Sequence, residues 1–141
     1  MPRVPGSPLA HPVADLVAQA DEVAPPLPIE DAHALLDDES TLFVDIREPQ
    51  EWAREGILPG AYRAPRGMLE FWVDPASPYY RPALDDGRRL VLYCGSAWRS
   101  ALAAAALRQM GRDDVTHVAG GFAAWRAAGY PVEPYVRDAP A

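Results

Sequence analysis

The apolar positions Val13, Leu16, Val17, Ala20 and Val23 fall three and four residues apart, the spacing of one helix face, and predict an amphipathic helix over residues 12–23. The proline-rich run Pro25-Pro26-Leu27-Pro28 ends it. Residues 29–36 read as a second short helix, and Leu42-Phe43-Val44-Asp45-Ile46 is an apolar run of strand length bounded by polar residues. Pro49 near the start and Gly56 just past the end mark a short helix between them. Residues 61–64 give another short strand and 68–72 a single helical turn. The stretch from Trp72 to Gly87, dense in proline and aspartate, reads as a long surface loop whose aromatics pin it to the core. Leu90-Val91-Leu92-Tyr93 is a buried strand, 101–110 an alanine-rich helix closed by Gly111, 115–118 a last strand, and 122–128 a final helix stopped by Gly129 and Pro131. The tail from Glu133 onward reads as frayed.

Strands alternating with helices predict an α/β domain, a parallel sheet covered on both faces by right-handed crossovers. In such sheets ligands bind beyond the carboxyl ends of the strands. Cys94 follows one of those ends directly.

With 141 residues and 49% hydrophobic composition, the chain can bury the core of one domain. Its net charge of −7 repels nucleic acid, so any anion must be held by local donors. A single cysteine leaves no internal disulfide and no multi-thiolate metal site. The first residues lack the cationic start and continuous apolar core of a secretory signal, and no apolar run is long enough to span a bilayer. A soluble cytoplasmic protein without nucleic-acid or membrane partners is expected. The three histidines, His11, His33 and His117, are scattered and predict neither a metal site nor a proton relay.

Between the 90–93 strand and the helix expected near Ser100 lies the loop Cys94-Gly95-Ser96-Ala97-Trp98-Arg99. Its backbone N–H groups can converge on one point, and the next helix adds its free N-terminal donors. A thiol in such a cradle is favoured as the nucleophilic thiolate. Gly95 permits close backbone approach, and Arg99 supplies a charged fork for an oxyanion or an anionic sulfur. The same cysteine read as a small buried hydrophobe fits the spacing equally well.

Three motifs add to that spacing. Cys-x-x-x-x-Arg-Ser at 94–100, Val-Asp-Ile-Arg-Glu-Pro-Gln-Glu-Trp at 44–52 and His-Val-Ala-Gly-Gly-Phe-Ala-Ala-Trp at 117–125 occur together and in order. In this the chain resembles the rhodanese-like domain family over roughly residues 29 to 132. The resemblance implies a three-layer α/β fold with a mainly parallel five-stranded sheet. It divides the chain into an extension (1–28), the domain (29–132) and a tail (133–141).

It also implies that Cys94 accepts sulfane sulfur as a persulfide and passes it on, and that Gly95, Ser96, Ala97, Trp98, Arg99 and Ser100 bind the substrate. The reaction expected is that of a thiosulfate sulfurtransferase needing no metal or organic cofactor. Its partners would be a small anionic sulfur donor and a thiophilic acceptor: cyanide, a thiol or a sulfur-carrier protein. A non-turnover sulfur-binding or sensing module loaded by a protein partner is the alternative. Four residues separate Cys94 from Arg99, one fewer than in phosphatase-type relatives, so the loop has the sulfur-sized length. Asp45 and Arg47 are expected to order the loops rather than to catalyse. Arg66 is either a second cation for a dianionic donor or a solvated surface arginine. Two departures stand out: Gly56-Ile57-Leu58-Pro59-Gly60-Ala61 lacks the family's histidine, and the bulky Trp98 stands where glycine is expected, which turns its ring toward the mouth of the loop.

Overall fold

The computed structural model describes residues 2–137. Helices α1 (Val13–Val23) and α2 (Ile29–Ala34) precede strand β1 (Thr41–Asp45) and helix α3 (Pro49–Glu55). Strand β2 (Tyr62–Arg63), helix α4 (Leu69–Val73) and strand β3 (Arg89–Tyr93) follow, then helix α5 (Trp98–Gln109), strand β4 (Val115–His117) and helix α6 (Gly121–Ala127). Short 3₁₀ turns at Arg66–Met68 and Pro82–Leu84 flank α4 and end the proline-rich loop.

All strands run parallel in the order β2-β1-β3-β4, with Asp45 opposite both Arg63 and Tyr93, and Leu92 opposite His117. Alternation along each strand sends its side chains to two different cores. Leu42, Val44, Leu90, Leu92 and Val115 pack with Ala103, Ala104 and Leu107 of α5 and Leu69 of α4. On the other face, Phe43, Val91 and Tyr93 pack with Ala32 of α2 and with Phe122 and Trp125 of α6. The layers are therefore helix, sheet, helix. Alanine dominates α5 because the helix is covered twice: its far side, through Ala101 and Ala105, receives Val17 and Ala20 of α1. The amphipathic helix at the start of the chain thus packs on its own domain.

The sheet has four strands among the described residues, not five. The fifth is reduced to a single parallel bridge at the β4 edge, where the Leu27 N–H donates to His117 O and Leu27 O accepts from the Ala119 N–H. Pro25, Pro26 and Pro28 have no N–H, so of residues 25–28 only Leu27 can donate to a ladder there.

Trp72 is the loop's pin, whereas Tyr79 is 58% exposed. Trp72 packs against the core with the Arg81 guanidinium 3.5 Å above its ring, and the Tyr80 hydroxyl donates to Asp85. The tail is tied down as far as it is described: Glu133 and Ile57 exchange both backbone hydrogen bonds at 2.9 Å, and Tyr135 lies against Trp52 of α3. Residues 138–141 lie outside the described residues.

Candidate active site

Strand β3 ends at Tyr93, and the chain turns through Cys94–Ala97 into α5, which starts at Trp98 rather than at Ala101. The early start has a local cause. Ala97 adopts φ +77°, a left-handed conformation that reverses the chain in one step and puts Trp98, Arg99 and Ser100 in the first helical turn. The loop position that calls for glycine is therefore Ala97, not Trp98. Trp98 projects outward and is half exposed.

The loop is clamped from behind by α6. Phe122 N–H donates to Cys94 O at 2.8 Å and Ala123 N–H to Gly95 O at 3.0 Å. In a trans peptide the carbonyl and the next N–H point opposite ways, so the Gly95 and Ser96 N–H groups face away from α6. Only glycine fits at 121, where φ is +62° and a Cβ would lie 2.6 Å from Cys94 O. Gly121 thus sets the orientation of the loop that carries Cys94.

Cys94 is 1% exposed, at the edge of the α5-side core. The Ser100 backbone N–H donates to its Sγ at 3.4 Å, and Ser100 Oγ lies 3.6 Å from the same sulfur. Buried Ser100 thus turns two polar groups toward the sulfur.

Arg99 does not stand free. Its guanidinium makes a two-pronged ion pair with Glu51 of α3, Nη1–Oε1 at 2.7 Å and Nη2–Oε2 at 2.9 Å. The hydrogen bonds from Arg99 hold the Glu51 carboxyl well below the usual range, at about 2. Arg99 is drawn upward by Glu51 and also by the neighbouring Cys94. Gly95 leaves room for this fold, since a Cβ there would sit 3.3 Å from Arg99 Nη2. Glu51 escapes a reading of the sequence because its visible signal is a different one: with Glu48 it forms the capping box of α3.

Asp45 and Arg47, both fully buried, form a unit apart from the sulfur. Arg47 Nε and Nη2 donate to the Asp45 carboxylate at 2.8–3.2 Å, and Nη2 also donates to Gly56 O at 2.7 Å. Its guanidinium lies 4.2 Å from the Phe122 ring centre. The pair joins the end of β1 to the end of α3 and to α6. Arg66 sits where β1 ends, its N–H donating to Ile46 O, and its side chain, 29% exposed, is paired with Glu70 one turn on.

His33 stacks on Tyr130. His117 is another matter: it is buried, with Nδ1 3.0 Å from Ser100 Oγ and Nε2 2.9 Å from Asp21 Oδ1. Sequence spacing hides this link. Its available signal is the register that sets His117 beside Leu92, two residues before Cys94 and on the same sheet face.

A family model described as the Rhodanese-like domain matches residues 28–128. The chain is 36% identical over 98 residues to a sulfurtransferase of Allochromatium vinosum, covering 70% of this chain and 83% of that protein. It is 37% identical over 93 residues, 66% of this chain, to an uncharacterized protein of Synechocystis, and spans 47% of that protein's length. A solved structure from Rhodopseudomonas palustris, described as a protein of unknown function and possible tyrosine phosphatase, superposes with a TM-score of 0.86 at 40% identity. That match covers 94% of this chain and 99% of the other.

Proposed function

The chain belongs to the rhodanese-like domain family, and on that premise we propose that it is a sulfurtransferase carrying sulfane sulfur as a persulfide on Cys94. The observation that carries this reading is the donor set on the sulfur: Ser100 brings an N–H to 3.4 Å and a hydroxyl to 3.6 Å of Cys94 Sγ. A thiol packed only as a hydrophobe has no need of them.

In the proposed cycle the Cys94 thiolate attacks the outer sulfur of a donor such as thiosulfate. The donor's S–S bond breaks, and sulfite leaves with the electron pair. A thiol, cyanide or a carrier protein then attacks the terminal sulfur, and the Cys94 thiolate is the leaving group. The Gly95 and Ser96 amides and the first turn of α5 stabilise the negative charge that moves through both steps. Arg99, fixed by Glu51, offers its remaining N–H edge to the donor's anionic end. The catalytic domain is assigned to residues 29–132, with α1 as an extension packed on it. Among the described residues no helix is long and apolar enough to cross a membrane.

Intact-mass measurement after incubation with thiosulfate tests the reading. Wild type gains one sulfur atom and Cys94→Ser gains none; equal labelling of the two removes Cys94 from the mechanism. A module loaded only by a partner would take up sulfur once and fail to turn over with cyanide.

The description of the Rhodopseudomonas structure favours a second reading, a thiolate phosphatase. Against it stand the four residues between Cys94 and Arg99 and the engagement of Arg99 by Glu51, both of which narrow the space for a phosphate. Hydrolysis of an aryl phosphate, lost in Cys94→Ser, would decide for it.

A further inference from the structure

A line of polar contacts runs from the proposed nucleophile to the surface. Cys94 Sγ lies 3.6 Å from Ser100 Oγ, Ser100 Oγ 3.0 Å from His117 Nδ1, and His117 Nε2 2.9 Å from Asp21 Oδ1. The first three residues are at most 1% exposed, whereas the Asp21 side chain is 37% exposed. The line crosses α5, β4 and α1, and its outer member, Asp21, lies outside the stretch that matches the family model.

Counting protons along it gives two consistent arrangements. A carboxylate only accepts, so His117 Nε2 carries a proton in both and donates it to Asp21. In the first, Cys94 S–H donates to Ser100 Oγ, and the Ser100 hydroxyl donates to His117 Nδ1. In the second, protonated Nδ1 donates to Ser100 Oγ, and the Ser100 hydroxyl donates to the Cys94 thiolate. Going from first to second moves one proton from Sγ to Oγ and another from Oγ to Nδ1. The result is a thiolate and an imidazolium, with net charge unchanged.

We propose that Ser100, His117 and Asp21 form a proton relay that accepts the Cys94 thiol proton and holds it on the imidazole while the thiolate reacts. This rests on the sulfur-transfer reading and deepens it: His117 and Asp21 are positioning residues, and the N-terminal helix supplies one of them. Burial depresses the imidazolium form of His117, opposed by the hydrogen bond and charge of Asp21, so the ring stays available as an acceptor near neutral pH. Asp21 of α1 is the charged group acting on this ring; at Cys94 the charges are Arg99 of α5 and, across from it, Glu51 of α3.

Alkylation of Cys94, the chain's single cysteine, by iodoacetamide reads the thiolate directly and needs no sulfur donor. Rates are followed by mass against pH for wild type, Asp21→Asn and His117→Gln. Both variants shift the midpoint upward by about one pH unit, about tenfold slower at a fixed pH below it, as expected when a nearby opposite charge is lost. A loosened loop would scale the rate at every pH without moving the midpoint. An unshifted midpoint in Asp21→Asn, a partly exposed and near-isosteric change, overturns the relay whatever His117→Gln does. If the midpoints shift but thiosulfate adds no sulfur, the transferase reading fails and the relay stands; the reverse pattern removes the relay alone.

Discussion

Replacing Asp45 by Asn removes one charge from a pair that is entirely shielded from water, both side chains being 0% exposed. Asparagine keeps the shape and one carbonyl, so the hydrogen bonds to the Arg47 backbone N–H and to part of the guanidinium survive. What remains for the buried cation is the Glu55 carboxylate at 3.6 Å, the Gly56 carbonyl at 2.7 Å and the face of Phe122 at 4.2 Å. Burial works against the guanidinium charge, and the hydrogen bonds and charge of Asp45 are what outweigh it. Breaking a buried pair by removing one partner costs about 3–5 kcal/mol, and the residual partners put this case at the lower end, about 3 kcal/mol. For a domain whose total stability is about 5–15 kcal/mol, that is a large share. Urea unfolding with a shared slope measures it as a drop in midpoint. A loss below about 1 kcal/mol would mean that Glu55 or water already serves the cation, and the claim that Asp45 holds the loops would fall.

Glu51→Gln keeps the capping box but removes the counter-charge of Arg99; the apparent KM for thiosulfate should fall several-fold, reflecting about 1 kcal/mol from a half-exposed charge. The same variant carries a pH signature: a carboxyl lowered from 4.5 to about 2 contributes stability that is complete above pH 4.5 and lost as the pH falls through 2, so the wild-type advantage in acid unfolding should fade across that window. Gly121→Ala should slow sulfur uptake and destabilise more than Gly129→Ala; both glycines have positive φ, but only at 121 would the new Cβ meet the Cys94 and Gly95 carbonyls, at 2.6 and 2.8 Å. Equal effects in the two alanine variants would mean that the α6 clamp is not what orders the loop.

The elements were legible because each has a local cause. The continuous apolar runs within 41–45 and 89–93, Pro49 and Gly56 around α3, and Gly129 after α6 are patterns of neighbours, and the structure reproduces them within a few residues. The motif around Cys94 placed the candidate nucleophile at a strand end for the same reason. What stayed hidden depends on pairs far apart in sequence. Glu51 meets Arg99 across 48 positions, and His117 meets Asp21 across 96. The lost fifth strand was legible in principle, since the prolines around Leu27 remove the donors that a ladder needs. The left-handed Ala97 was not, because alanine gives no signal for that conformation.

The way the sheet ends also bears on how copies of the chain meet. A free strand edge invites another molecule to add its own strand, the first step toward fibrous aggregates. Here one edge is a two-residue strand, and the other is occupied by Leu27 between residues that cannot donate. A visiting strand at β4 would have to break both Leu27 hydrogen bonds. It would then compete with a segment already tethered to the same chain, whose local concentration no second molecule matches. The prolines that deny this sheet a fifth strand thus also deny it a template, leaving self-association to side-chain surfaces rather than to the backbone.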